Sequence, residues 1–137
     1  MVAMSRLALL ADSLDGGGEV VAVLDAGRGE YFCGVYADGA RVSEQLARME
    51  EVRSLMQGRR GVVCEARVAE SLGAGVNLVA ELVPEPGPRQ MLAAALRRIE
   101  DQDWSDVASV DANYLRRTDA EILIHGGKAQ GRQVQDR

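Results

Sequence analysis

Residues 20–36, VVAVLDAGRGEYFCGVY, decide how this chain is read. An apolar strand ends at Asp25, the chain turns through Ala26-Gly27-Arg28-Gly29, and a second strand returns carrying Tyr31, Phe32 and Tyr36. Two strand-like runs joined by a short glycine-containing turn predict a β-hairpin. Alternation puts Tyr31 on one face of the second strand and Phe32 and Tyr36 on the other, where aromatics pack as core. An acidic residue at a strand end, beside a turn of backbone amides, suits phosphate or metal handling. The two glycines are equally accounted for by the positive φ that a tight turn demands.

Working outward, residues 5–14 place Leu7, Leu10, Ala11 and Leu14 at helical spacing, with Ser5 as N-cap. Asp15-Gly16-Gly17-Gly18 stops that helix. Strands are expected over 20–25 and 30–36, and Asp38-Gly39 turns the chain into a third over 40–46. Met49, Val52 and Met56 then share one helix face, ending near Gly58. The run 61–64 reads as a strand buried on both faces. A short helix over 67–72, a strand over 77–83 and a proline-led helix over 89–102 follow, the last with the stripe Leu92, Ala95, Leu96 and Ile99. Three antiparallel strands, then helix, strand, helix, strand, helix is the order of a ribonuclease-H-like lobe. In that α/β fold of the actin-like ATPase superfamily, the later strands join the meander in parallel through helical crossovers.

Composition narrows the class. A chain of 137 residues holds one domain, and 47% apolar with 27% charged residues describes a soluble globular protein. No apolar run reaches membrane-spanning length. Cys33 and Cys64 sit in apolar runs, so reduced core thiols are expected, which points to the cytoplasm. A net charge of −5 argues against a free-standing nucleic-acid binder. Arg59-Arg60, Arg97-Arg98 and Arg116-Arg117 are short, scattered clusters that read as solvated surface.

Two motifs resemble one family. Asp25-Ala26-Gly27-Arg28-Gly29-Glu30-Tyr31-Phe32 is similar to the Asp-Ala-Arg-Arg-Gly-Glu-Val-Tyr hairpin of the TsaB (YeaZ) family of tRNA threonylcarbamoyladenosine biosynthesis proteins. About ninety residues on, Ala112-Asn113-Tyr114-Leu115-Arg116 resembles that family's closing Pro-x-Tyr-Leu-Arg, and Ser-Asp-Ala-Glu is matched by Thr118-Asp119-Ala120-Glu121. Gly27 stands where the family has Arg, and Ala112 where it has Pro. The resemblance runs from the N-terminus to Glu121 and covers the family's C-terminal half. Residues 1–14 correspond to the end of a first lobe, 19–121 to the C-terminal lobe, and 122–137 are expected as a flexible tail.

The resemblance implies a non-catalytic subunit that supports a TsaD-type transferase, alongside a TsaE-type ATPase, with no direct tRNA binding of its own. It implies no cofactor beyond a nucleotide at a partner interface of the full-length family. The first lobe, with its Asp-Thr-Ser strand and Gly-Pro-Gly-Ser-Phe-Thr-Gly motif, is expected to be absent. The leucine stripe of 5–14 must then cover itself on this domain or on a second copy, so a homodimer is an expected assembly.

The candidate phosphate or partner-contact hairpin is therefore Asp25, Gly27, Arg28 and Gly29, and Tyr114, Leu115 and Arg116 form the C-terminal motif, with anchoring of the chain end as their expected role. A competing enzyme reading takes Asp25, Glu50 or Glu51, and Glu65 as the carboxylates of a metal-dependent ribonuclease-H-like hydrolase, and a third reading is an inactive truncated binding module. Further catalytic patterns do not occur. His125 falls in the expected tail, Cys-x-x-Cys and His-x-x-x-His spacings are missing, and Gly16-Gly17-Gly18 lacks the Lys and Ser/Thr of a phosphate loop.

Overall fold

In the computed structural model, residues 2–105 are described. Within them, β1 (Glu19–Gly27), β2 (Glu30–Ala37) and β3 (Ala40–Arg48) form an antiparallel meander. Helix α1 (Arg6–Ala11) precedes it; α2 (Met49–Met56), β4 (Arg60–Val63), α3 (Ala66–Gly73), β5 (Ala80–Leu82) and α4 (Pro88–Glu100) follow. The sheet order is β3-β2-β1-β4-β5, with β4 parallel to β1 and β5 parallel to β4. That is the ribonuclease-H-like order expected from the sequence. The fifth strand is shorter than expected, three residues in place of seven, because pairing with β4 reaches only from Gly61 to Val63.

Both hairpins close by the same device. Arg28 and Gly29 (φ 56° and 73°) link Gly27 to Glu30, and Asp38 and Gly39 (φ 50° and 83°) link Ala37 to Ala40. Two consecutive residues at positive φ match the right-handed twist of the flanking strands, which ordinary turns would splay. The Asp38 carboxylate also accepts a hydrogen bond from the Gly18 amide at 2.9 Å, tying the glycine run to the second turn.

The sheet is packed on both faces. Val21, Val23, Cys33, Val35 and Val63 meet Val52 and Met56 of α2 and Val68 and Leu72 of α3. On the other face, Val20, Ala22, Leu24, Tyr36 and Val62 meet Leu7, Leu10 and Ala11 of α1. The stripe of α1 therefore covers itself on this sheet. Tyr31 packs on the first face and Phe32 and Tyr36 on the second, as alternation requires.

Two polar contacts stitch these layers. Arg53 of α2 donates to the carbonyls of Ser71, Leu72 and Ala74 at 3.0, 3.1 and 2.9 Å, satisfying the C-terminal end of α3. The Tyr36 hydroxyl donates to the carboxylate of Glu44 on β3, whose side chain is only 3% exposed. Gly34 makes that reach possible. A Cβ there would lie 2.7 Å from the Tyr36 ring, so only glycine lets the ring fold back along its own strand.

Helix α4 forms where the sequence places it, over Pro88–Glu100. Pro88 opens it, and the Gln90 side chain accepts from the Gly87 amide at 2.9 Å, but its leucine stripe faces solvent among the described residues. The reason lies in α1, whose Leu7, Leu10 and Ala11 pack on the sheet, leaving Leu9 as its buried apolar residue on the α4 side. The remaining contacts from α1 and its flanks are polar: Asp12 faces Arg97 at 3.8 Å, Arg6 pairs with Glu85 at 2.6 Å, and Arg98 donates to the Ala3 carbonyl. Helix α4 docks through these groups.

Two outcomes follow. Replacing Gly29 by Ala puts a Cβ on a left-handed residue and should cost about 1–2 kcal/mol, read as a fall of several degrees in Tm. Burial and the bond to Glu44 hold the Tyr36 phenol well above the ordinary tyrosine range. In an ultraviolet pH titration, one tyrosine should therefore remain protonated above pH about 10. Because this folded-state pKa is raised, Tyr36 stabilises the fold fully below pH about 10, and that contribution is lost as pH climbs toward the folded value.

Candidate functional site

The site is built where β1 and β4 end side by side. Parallel pairing sets Val23 against Val63, so Asp25 and Glu65 stand equally far beyond the last paired residues. Crevices at the carboxyl ends of parallel strands are where α/β sheets place ligands. Here a shallow cleft of about 270 Å³ is lined by Asp25, Gly27, Arg28, Gly29, Tyr31 and α3.

Asp25 is doubly engaged. One carboxylate oxygen accepts from the Gly27 amide at 2.9 Å, and the other receives the Arg67 guanidinium at 2.6 Å. Arg67 also lies 3.4 Å from Glu65, so one cation bridges the two strand-end carboxylates. Arg67 is largely exposed, so the pair orders the cleft more than it stabilises the fold. Across the cleft, Arg28 sits at the tip of the turn, with no ion-pair partner among the described residues.

The structure thus gathers Asp25, Gly27, Arg28 and Gly29 around one cleft. Arg67 was missed by the sequence reading, since its place depends on the pairing of β1 with β4. The sequence signal was there: if the run 61–64 pairs beside the run 20–25, the residues just after each end must meet. Glu50 and Glu51 fall in the first turn of α2, where the helix dipole favours them. Among the described residues, no three of His, Cys, Asp and Glu are grouped as a metal site would need. Tyr114, Leu115, Arg116 and His125 lie outside the described residues.

The two thiols do not meet. β1 separates β2 from β4, and Cys33 belongs to the α2/α3 core while Cys64 packs toward the α1 core. Both are free. Cys33 is fully buried, and burial pushes its thiol up to about 11. Cys64 is only half-buried, contrary to expectation, because it follows the end of β4; burial, helped by Glu85 and Glu65, raises its thiol too.

This architecture defines a single ribonuclease-H-like α/β lobe. No protein-family model matches the chain, and no curated protein matches it. A solved structure does, described as an uncharacterized protein with similarity to peptidase YeaZ from Pseudomonas aeruginosa. The likeness has a TM-score of 0.54 at 21% identity and covers 84% of this chain. It covers 58% of that chain, so the present sequence spans little more than half its length. The fold is YeaZ-like. No helix among the described residues is long and apolar enough to cross a membrane.

Thiol labelling checks the core assignment. In the folded protein at pH 8, a thiol reagent should modify Cys64, and Cys33 should react only after denaturation; modification of both at one rate in the native state would contradict the assignment.

Proposed function

We propose that this chain is the C-terminal lobe of a TsaB-type protein, a non-catalytic subunit that supports a TsaD-type transferase in forming threonylcarbamoyladenosine on tRNA. The likeness in fold to a YeaZ-related structure, over one part of that chain's length, is the observation that carries the reading. The motifs at Asp25–Phe32 and Ala112–Arg116 support it from the sequence side. The chemistry of the cleft agrees with a supporting role. Its strand-end carboxylate is neutralised by Arg67 and a backbone amide, while Arg28 offers an open cation toward a partner or phosphate. A TsaE-type ATPase and a nucleotide at the partner interface belong to the same proposal, as does a cytoplasmic site of action.

Co-expression with a bacterial TsaD-type transferase, followed by size-exclusion chromatography, tests the reading. The two proteins should co-elute, and Arg28→Glu should weaken co-elution severalfold while leaving the thermal midpoint unchanged. Separate elution of two folded proteins overturns the partnership. Divalent-ion binding that Asp25→Asn abolishes would favour the metal-dependent hydrolase instead.

A further inference from the structure

On the sheet face that carries α1, two cavities of about 480 and 610 Å³ share Asp12, Tyr36, Gly39 and Arg97 as walls. They form one continuous groove between α1, α4 and the turn joining β2 to β3. None of its lining residues belongs to the Asp25 cleft, which opens beside α3. Cavities of about 300–1,000 Å³ with apolar walls and a few convergent polar groups are the usual form of a small-molecule site. Here Ala8, Leu9 and Ala94 supply the apolar wall.

Two acid–base pairs in the groove stand just beyond hydrogen-bonding distance. Asp12 of α1 faces Arg97 of α4 at 3.8 Å, and Glu44 faces Arg41, both on β3, also at 3.8 Å. A nitrogen and an oxygen that far apart do not share a hydrogen bond. Glu44 is built into the floor, its side chain only 3% exposed and one of its oxygens taken by the Tyr36 hydroxyl. Other charges of the groove are closed: Arg98 meets Asp103 at 2.8 Å, and Asp38 holds the Gly18 amide. Burial raises the Asp12 carboxyl, and Arg97 offsets only part of that rise.

An open acid–base pair presents an acceptor and a donor side by side. An ammonium group would suit Asp12 and be repelled by Arg97, and a carboxylate or phosphate would meet the reverse. A hydroxyl both donates and accepts through one oxygen. An oxygen about 2.8 Å from each partner bridges two atoms 3.8 Å apart without moving either. Glu44 and Arg41 offer the same combination at the floor. We propose that this groove binds an uncharged polyhydroxylated molecule, a sugar or sugar alcohol. Its hydroxyls bridge Asp12 to Arg97 and Glu44 to Arg41, and its C–H face lies on Ala8, Leu9 and Ala94. Because α1 and α4 each supply one member of the first pair, binding fastens the two helices together.

Titration calorimetry of the full chain with D-glucose, D-ribose and sorbitol tests this, with putrescine and succinate as charged controls. At least one polyol should bind and neither control should. Asp12→Ala and Arg97→Met should each raise the dissociation constant about tenfold or more, the loss expected for a hydrogen bond to a charged group. Glu70→Gln, on the other face of the sheet, should change nothing. The bound polyol should also slow hydrogen exchange of the α4 amides. If the first two variants loosen α4 by themselves, Arg41→Met decides, since its side chain is 66% exposed and its removal leaves the fold intact. Failure of all three polyols to bind overturns the proposal, and so does preferential binding of a charged control. Polyol binding indifferent to Asp12→Ala, Arg97→Met and Arg41→Met is adventitious association only and overturns it as well.

Discussion

The fold depends on a single strand being enclosed on four sides. β1 is bonded along one edge to β2 and along the other to β4, and its side chains are buried above and below. Val21 and Val23 enter one core, and Val20, Ala22 and Leu24 enter the other. A strand with no polar face obliges the chain to supply helices to both sides of the sheet. The crossovers α2 and α3 satisfy one side and α1 the other. Where the enclosure ends, at Asp25, a polar side chain follows the buried run, and the cleft forms there because the parallel neighbour runs out at the same level.

The helices are unevenly buried. The sheet takes Leu7, Leu10 and Ala11 of α1, leaving Leu9 and polar groups on the side toward the last helix, which is held largely by guanidinium and carboxylate contacts. Such contacts orient a helix without burying its stripe. Within the sheet, the reverse holds: the Tyr36–Glu44 pair is taken out of water, so it must be satisfied to be tolerated, and the absence of a Cβ at Gly34 is what lets the two side chains meet.

Much of this was legible in the residues. Gly29 and Asp38-Gly39 announced the hairpins because residues at positive φ leave a chemical trace, and alternation around Tyr31, Phe32 and Tyr36 gave the two faces. The cleft was half legible. Asp25 and the turn are local in sequence, whereas Arg67 reaches Asp25 only through a parallel pairing that closes a loop of some forty residues, and periodicity carries no record of such closure. The stripe of α4 is legible only as a helix, for a related reason. A helical pattern reports that one face is apolar and is silent on whether this chain or another covers it.

The bond set of Arg53 has a mechanical consequence. Because one guanidinium closes the end of α3 from α2, the two crossover helices share a latch, and neither can fray without exposing the other's carbonyls or cation. Arg67, at the opposite end of α3, rides on that latch. The position of the cation that meets Asp25 is thus braced from a helix outside the cleft, and breathing of the crossover layer and opening of the ion pair become one cooperative event.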